Sequence, residues 1–266
     1  MHHFESAEVL PGVYHIKDIM GVCMTLLVGQ ERALLIDAGY GLEDVAAFVA
    51  TLTDKPVTFM LTHGHHDHAL GAQWFDQVLV FLQERTAYET YTQEPFRTRV
   101  DGQAAAKGLT TSEEWMKRPV AVAADLAEGP MDLGGMMAEI MLCPGHTPGS
   151  AVIYVPERQL LLTGDDWNPC TWAFFPESMP AETFRRNVMA LLQLPFTHVL
   201  CSHQHALQER ATFEAFITGL TDEALLSARK VDMGWPLDTR EASPAPGQIF
   251  VFDFGKTALG GKEDIQ

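Results

Sequence analysis

The stretch "VTFML" at 57–61 runs directly into "THGHHDHALG" at 62–71, where four histidines and an aspartate fall within six positions. An apolar run this short, rich in β-branched and aromatic residues, reads as a buried strand. The period-two geometry of a strand points His63 and His65 the same way. Asp67 and His68 follow where the chain turns into a helix, so they reach the same space from a second direction. Four nitrogen and oxygen ligands converging in so few residues suit a borderline divalent metal such as zinc. The competing reading is a polar turn held by its own hydrogen bonds.

Three later segments repeat the pattern. "CPGHTPGS" (143–150) sets His146 at a strand end between Pro-Gly pairs, "LLLTGDD" (160–166) ends at Asp165, and "VLCSHQH" (199–205) carries His203. Any one of these is most simply an ordinary loop residue. A ligand-type side chain directly after an apolar strand, four times over, is what loops at one sheet edge produce when they build a site together.

The rest of the chain reads as an α/β layered fold. "GVCMTLLVG" and "RALLIDAG" form a hairpin ending at Asp37, and Val45, Phe48, Val49 and Leu52 recur at helical spacing. Residues 69–75 start another helix and "VLVF" (78–81) another strand. Between about 83 and 118 the pattern changes: "ERTAYETY" reads as helix, "EPFRTRVDGQ" as loop, and Thr111 with Glu114 as a capping box. Strand-like segments follow at 136–145, 150–156, 159–166, 197–203 and 248–255. A helix after Pro180 carries the stripe Phe184, Val188, Leu191, Leu192, and another helix spans 211–229. With neither repeat nor linker in evidence, a single domain over 1–266 is expected.

Charge narrows the partners. A formal net charge of −17 repels nucleic acid. The short basic pairs Arg97/Arg99, Lys117/Arg118 and Arg185/Arg186 read as solvated faces. No run of eighteen apolar residues is present, so no membrane span is expected, and the N-terminus lacks the pattern of a secretory signal. The four cysteines, at 23, 143, 170 and 201, show no paired spacing and read as free thiols of a cytoplasmic protein.

"HGHHDH", "LLIDAG", "PGHTPGS", "TGD" and the "SH" of "CSHQ", in their order along the chain, resemble the motifs of the metallo-β-lactamase superfamily, over roughly residues 13–205 and least at 83–125. The resemblance implies a four-layer αββα sandwich, with 83–118 as a helical insertion over the active site. It implies two divalent metal ions, zinc by preference with iron or manganese as alternatives. His63, His65 and His146 would hold the first ion, Asp67, His68 and His203 the second, and Asp165 would bridge them. His66 takes the variable position of the motif. Asp37 would orient the motif loop from behind the ligands. The family's last motif is usually Gly-His-Gly, whereas here it reads Ser202-His203-Gln204, which leaves His205 as a competitor for the ligand role. Asp166, following the bridging acid, departs from the pattern as well.

Such a centre attacks with a metal-activated hydroxide, and Asp67 would serve as general acid/base. A bridging Asp165 argues against the true β-lactamases, which the resemblance implies carry a different residue there. Small esters, thioesters and lactones fit best. Trp167, Trp172, Phe174 and Tyr88 are candidates for an apolar substrate pocket, joined by Phe175, Tyr91, Phe96 and Trp115. The same aromatics would equally serve to pack the insertion or a homodimer contact. Phosphodiester hydrolysis, favoured by Arg97 and Arg99, and iron-dependent oxidation on the same scaffold are the alternatives.

Overall fold

The computed structural model describes residues 3–259 and arranges the strands in three sheets. The first, of seven strands, follows chain order: β1 (Glu5–Leu10), β2 (Val13–Lys17), β3 (Cys23–Val28), β4 (Ala33–Ile36), β5 (Val57–Met60), β6 (Gln77–Val80) and β7 (Val122–Asp125). β1 to β4 are antiparallel, and β4 to β7 are parallel. The parallel half needs crossovers, supplied by α1 (Val45–Val49), by α2 (His66–Ala69) with a following 3-10 turn, and by α3 (Arg85–Tyr91), α4 (Glu94–Ala106) and α5 (Glu113–Lys117). β3 and β4 are buried almost throughout because both faces of the sheet are covered.

The second sheet holds β8 (Gly129–Asp132), β9 (Met137–Leu142), β10 (Ala151–Val155), β11 (Leu160–Leu162), β13 (His198–Leu200) and β14 (Gln208–Glu209). The third consists of β12 (Cys170–Ala173), β15 (Arg229–Lys230), β16 (Thr239–Ala245) and β17 (Gln248–Asp253), with β12 parallel to β17. Helices α6 (Ala181–Ala190), α7 (Arg210–Gly219) and α8 (Asp222–Leu226) complete the C-terminal half. No helix among the described residues is long and apolar enough to cross a membrane.

Three apolar clusters define the layers. Leu27, Leu34, Ile36 and Met60 of the first sheet meet Ile140, Ile153, Leu160 and Leu200 of the second, forming the seam between them. Leu35, Phe59 and Val78 face the other way, toward α1 and α2. Val152, Leu161 and Val199 face α6, α7 and the third sheet through Phe184, Phe213, Phe216 and Phe250. Helix, sheet, sheet and helix therefore stack in that order, the expected αββα sandwich. The third sheet is an addition that the sequence reading did not contain.

Several local readings are corrected. "EPFRTRVDGQ" lies in helix α4, not a loop: Pro95 occupies the first turn, where its missing N–H costs nothing, and the Cβ position of Gly102 faces open space. The cap of α5 is Ser112, which accepts from Trp115 N–H, while the Thr111 hydroxyl donates to Asp101. The helix expected across 211–229 is broken into α7 and α8, the latter capped by the Thr221 side chain.

The last residue of α7 lies tight against the neighbouring sheet. A Cβ at Gly219 would lie 1.8 Å from the Pro244 carbonyl oxygen of β16. Replacing Gly219 with Ala should cost about 1–3 kcal/mol, as overpacking does. Thermal melting should show a drop of several degrees, and an unchanged melting temperature would contradict this packing.

Candidate metal centre

The direction of the strands gathers the site. β4 and β5 run parallel, and so do β9, β11 and β13, since β10 is antiparallel to both β9 and β11 while β11 and β13 are parallel. Their C-terminal ends share one edge of the sandwich. Cross-sheet bonds close that edge, Ala151 N–H to Thr62 O at 2.8 Å and Cys23 N–H to Ser202 O at 2.7 Å. Asp37 follows β4, His63 and His65 follow β5, His146 follows β9, Asp165 follows β11 and His203 follows β13.

Asp37 is the buried hub. It adopts a left-handed backbone (φ 65°), a conformation aspartate tolerates better than most residues. Its Oδ1 accepts from Thr62 N–H (2.7 Å), and its Oδ2 from the Thr62 hydroxyl (2.8 Å) and from His68 Nδ1 (2.9 Å). Because the Thr62 proton is spent on Asp37, Thr62 Oγ1 must accept from His63 Nδ1, 3.0 Å away. The tautomers follow by elimination. His63 and His68 carry their protons on Nδ1, so both Nε2 atoms present lone pairs, and both are buried without a partner.

The same accounting applies to His65 and His146. His65 Nε2 donates to Glu177 Oε1 at 2.8 Å, and His146 Nδ1 donates to the Trp172 carbonyl. Their remaining nitrogens, His65 Nδ1 and His146 Nε2, face each other at 2.9 Å. Burial lowers the His146 pKa to about 4 and that of His63 well below the ordinary imidazole value. With the outer protons given to Glu177 and the Trp172 carbonyl, the two facing nitrogens present lone pairs, a geometry that suits a shared cation.

Carboxylates complete the cluster. Asp165 Oδ2 lies 3.0 Å from His203 Nε2 and 3.8 Å from His146 Nε2, while Oδ1 lies 3.5 Å from His68 Nε2. Asp67 Oδ2 is 3.7 Å from both His68 and His203 Nε2. Burial opposes ionisation of Asp67, but His68, His66 and His203 outweigh it and bring the pKa to about 2. Burial likewise opposes charge on His68, where Asp165, Asp67 and Asp37 win and push the pKa up. Three overlapping sets could each hold an ion: His63, His65 and His146; His63, His68 and Asp165; and Asp67, His68 and His203, each with ligand atoms within 4.8 Å of one another. Partnerless buried nitrogens with fixed lone pairs, beside ionised carboxylates, fit divalent cations.

The remaining candidates fall apart from this cluster in informative ways. His66 joins none of the sets and lies among Tyr40, Tyr91 and Phe96. The His205 ring stacks on His15 and its Nε2 bonds the His15 carbonyl, facing away from Asp165. Asp166 is wholly buried, and its Oδ1 accepts from His146 N–H at 2.8 Å.

A cavity of about 630 Å³ opens onto the cluster, lined by the aromatic side chains of Tyr91, Trp172, Phe175 and Trp235 and by Tyr40, Arg99 and Gln103. Of the four pocket candidates only Trp172 lines it. Tyr88 is buried with its hydroxyl on the Ala121 carbonyl; Trp167 packs on Phe213 and donates to Gln248; Phe174 lies beneath Phe175. All three are core: Tyr88 faces inward from α3, while Trp167 and Phe174 are turned inward by the irregular segments before and after β12. Arg97 is consumed too, its guanidinium bonding the carbonyls of Thr92, Trp115 and Arg118. Arg99, by contrast, makes no hydrogen bond or ion pair with a described residue.

Two carboxylates escaped the sequence reading. Buried Glu84 accepts from Gly64 N–H and Gly149 N–H, both at 2.8 Å, and so ties the His63–His65 loop to the His146 loop. Glu177 takes the His65 proton and that of the Tyr91 hydroxyl. The glycines at 64 and 149, where a Cβ would strike Tyr88 N (2.4 Å) and the Glu84 side chain (2.6 Å), were the available signal for close approach here.

An αββα sandwich with a histidine–carboxylate cluster across the edge of its two sheets defines a metal-binding class of fold. Within it, the chain belongs to the metallo-beta-lactamase superfamily, whose family model matches residues 20–166. It is 30% identical over 174 residues to an acyl-coenzyme A thioesterase MBLAC2 from Gallus gallus, covering 54% of this chain and 60% of that protein. It is also 30% identical over 166 residues to a hydroxyacylglutathione hydrolase from Synechococcus sp. (strain JA-3-3Ab), covering 62% and 56%. The matches thus span only about 60% of these relatives' length. Among solved structures, a metallo-beta-lactamase from Pontibacter korlensis superposes with a TM-score of 0.58 at 17% identity, over 83% of this chain and all of that one. The sec-alkylsulfatase Pisa1 from Pseudomonas sp. superposes with a TM-score of 0.64 at 15% identity, over 96% and 48%. These structural likenesses concern the fold alone.

Removing the hub should loosen the cluster. Asp37→Ala strands the Thr62 and His68 donors in the core, at about 1–3 kcal/mol for each unsatisfied group. It should also weaken metal retention by roughly 10–100-fold, read by chelator competition. Wild-type retention in this variant would show that Asp37 does not set the ring orientations.

Proposed function

We propose that the chain is a dinuclear metal-dependent hydrolase acting on thioesters or similarly activated carbonyl esters. The observation that carries this reading is the set of buried imidazole lone pairs converging beside ionised Asp67 and Asp165. His63, His65 and His146 would hold one ion, Asp67, His68 and His203 the other, with Asp165 between them. His and carboxylate ligands serve zinc, iron and manganese alike, and zinc is our choice. When bound, such a pair of ions lowers the pKa of water to near 7 and polarises a substrate carbonyl.

The protein's own residues do the rest. Asp67, held ionised and lining the cavity, accepts a proton from the attacking water and returns it to the leaving group. Burial pushes the Cys143 and Cys201 thiols up, the latter to about 12, so neither offers a thiolate nucleophile. Tyr91, Trp172, Phe175 and Trp235 provide an apolar wall for an acyl chain and exclude water from it. Arg99, which lines the same cavity, supplies a cation for a polar or anionic leaving group. The names of the two relatives, an acyl-coenzyme A thioesterase and a hydroxyacylglutathione hydrolase, favour the acyl-transfer reading over phosphodiesters.

Purified protein should hydrolyse acyl thioesters faster than phosphodiesters, lose activity on chelation and regain it with divalent metal. Trp172→Ala should raise KM about tenfold for long-chain acyl substrates, in line with roughly 1.5–3 kcal/mol for a buried aromatic. Short-chain substrates should change little. A preference for compact phosphodiesters, or equal effects on both chain lengths, would overturn this assignment.

A further inference from the structure

The segment 170–178 lines the cavity and also touches the back of two of the proposed metal ligands. Trp172 O receives the His146 Nδ1 proton, and Ser178 Oγ donates to His146 O at 2.7 Å. Glu177 Oε1 receives the His65 Nε2 proton at 2.8 Å and the Tyr91 hydroxyl proton at 2.5 Å. The His65 ring packs against Tyr91 and Phe175, with centroids 4.5 and 4.6 Å away. Trp172, Phe175, Glu177 and Ser178 all lie beyond residue 166, outside the stretch that matches the family.

The segment is itself pinned from the C-terminal sheet. Lys256 Nζ donates to three backbone carbonyls, Phe175 at 2.9 Å, Pro176 at 2.7 Å and Ser178 at 2.9 Å. Lys256 ends a 3-10 turn directly after β17, and β17 pairs with β12, which carries Trp172. One side of the segment is thus fixed through the ladder and the other through an ammonium.

We propose that Glu177 is a positioning residue for the first metal ion: its carboxylate holds His65 with Nδ1 facing His146 and His63, and Lys256 holds Glu177 in place. This rests on the dinuclear reading above. Glu177 touches no ligand of the second ion, so its influence is confined to the first. Its link to Tyr91 of α3 makes the insertion helices part of the same support.

The test uses full-length wild type and the variants Glu177→Ala, Glu177→Gln, Lys256→Met and Tyr91→Phe, with zinc and cobalt as probes. Wild type should bind two ions per chain. Glu177→Ala should weaken one of them by about 10–100-fold in chelator competition and alter the cobalt absorption spectrum, leaving the other ion and the metal-free melting temperature unchanged. Glu177→Gln should recover part of the loss, because the amide oxygen still accepts from His65 without the charge. Lys256→Met and Tyr91→Phe should give smaller losses at the same ion, and they carry the test if Glu177→Ala fails to fold. Wild-type affinity and spectrum in Glu177→Ala would overturn the proposal, as would an equal loss at both ions accompanied by a lowered metal-free melting temperature. A wild-type protein that binds no metal would instead remove the dinuclear reading itself.

Discussion

The arrangement of the site depends on one constraint: His63, His65, His68 and His146 must each turn toward the cluster the nitrogen whose proton is held elsewhere. A histidine has two nitrogens and, when neutral, one proton, so the direction of the lone pair is decided by whatever takes that proton at the back of the ring. Four acceptors do this work, Asp37 for His68, Thr62 for His63, Glu177 for His65 and the Trp172 carbonyl for His146. The burial that makes His63 and His146 hard to protonate also makes unpaired nitrogens costly. At this sheet edge carboxylates stand beside those nitrogens, ready to share a cation. The two sheets, packed face to face, must close on each other along this edge for that to happen, and the cross-sheet bonds to the Thr62 and Ser202 carbonyls lie within the motif loops themselves.

Much of this was legible in the sequence because ligands follow strands. Period-two geometry and the switch from strand to helix suffice to bring His63, His65, Asp67 and His68 to one place, and the apolar runs before His146, Asp165 and His203 identify them as strand ends. The aromatic pocket was not legible in the same way. Trp172 and Phe174 lie two apart and Phe175 lies next to Phe174, so composition alone cannot say which one meets the cavity. Chain direction after β12 decides it, turning Phe175 to His65 and placing Phe174 beneath. Arg97 and Arg99 differ likewise: two positions on a helix are about 200° apart, so one must face the core when the other faces the cavity. The third sheet was hidden because β12 pairs with β17, far away in sequence, and short segments such as β15 carry no periodicity.

The cavity joins two chemistries that a single element could not supply. Its apolar wall comes from the segment around β12, from α3 and from the turn before β16, through Trp172, Phe175, Tyr91 and Trp235. Its polar rim comes from α4 and from the loop after β4, through Arg99, Gln103 and Tyr40. Asp67 and Asp165 line the same space, so the carboxylates open onto a cavity whose lining is chemically asymmetric.

That asymmetry has a consequence for how such a centre can change. The ligands lie in loops whose backbone is tied by Glu84 and Asp37, and substitutions there disturb metal and fold together. The residues from 170 to 178 have a double duty, since the same short segment presents Trp172 and Phe175 to substrate and Glu177 and Trp172 O to the ligands. A change that reshapes the acyl wall therefore also moves the acceptors behind His65 and His146. Lys256 separates the two duties in part: by fixing the backbone through carbonyls, it leaves the side chains at 172 and 175 free to vary while the acceptors stay in register. Substrate preference can then shift through the outward side chains of this segment, whereas metal retention depends on its backbone and on Glu177.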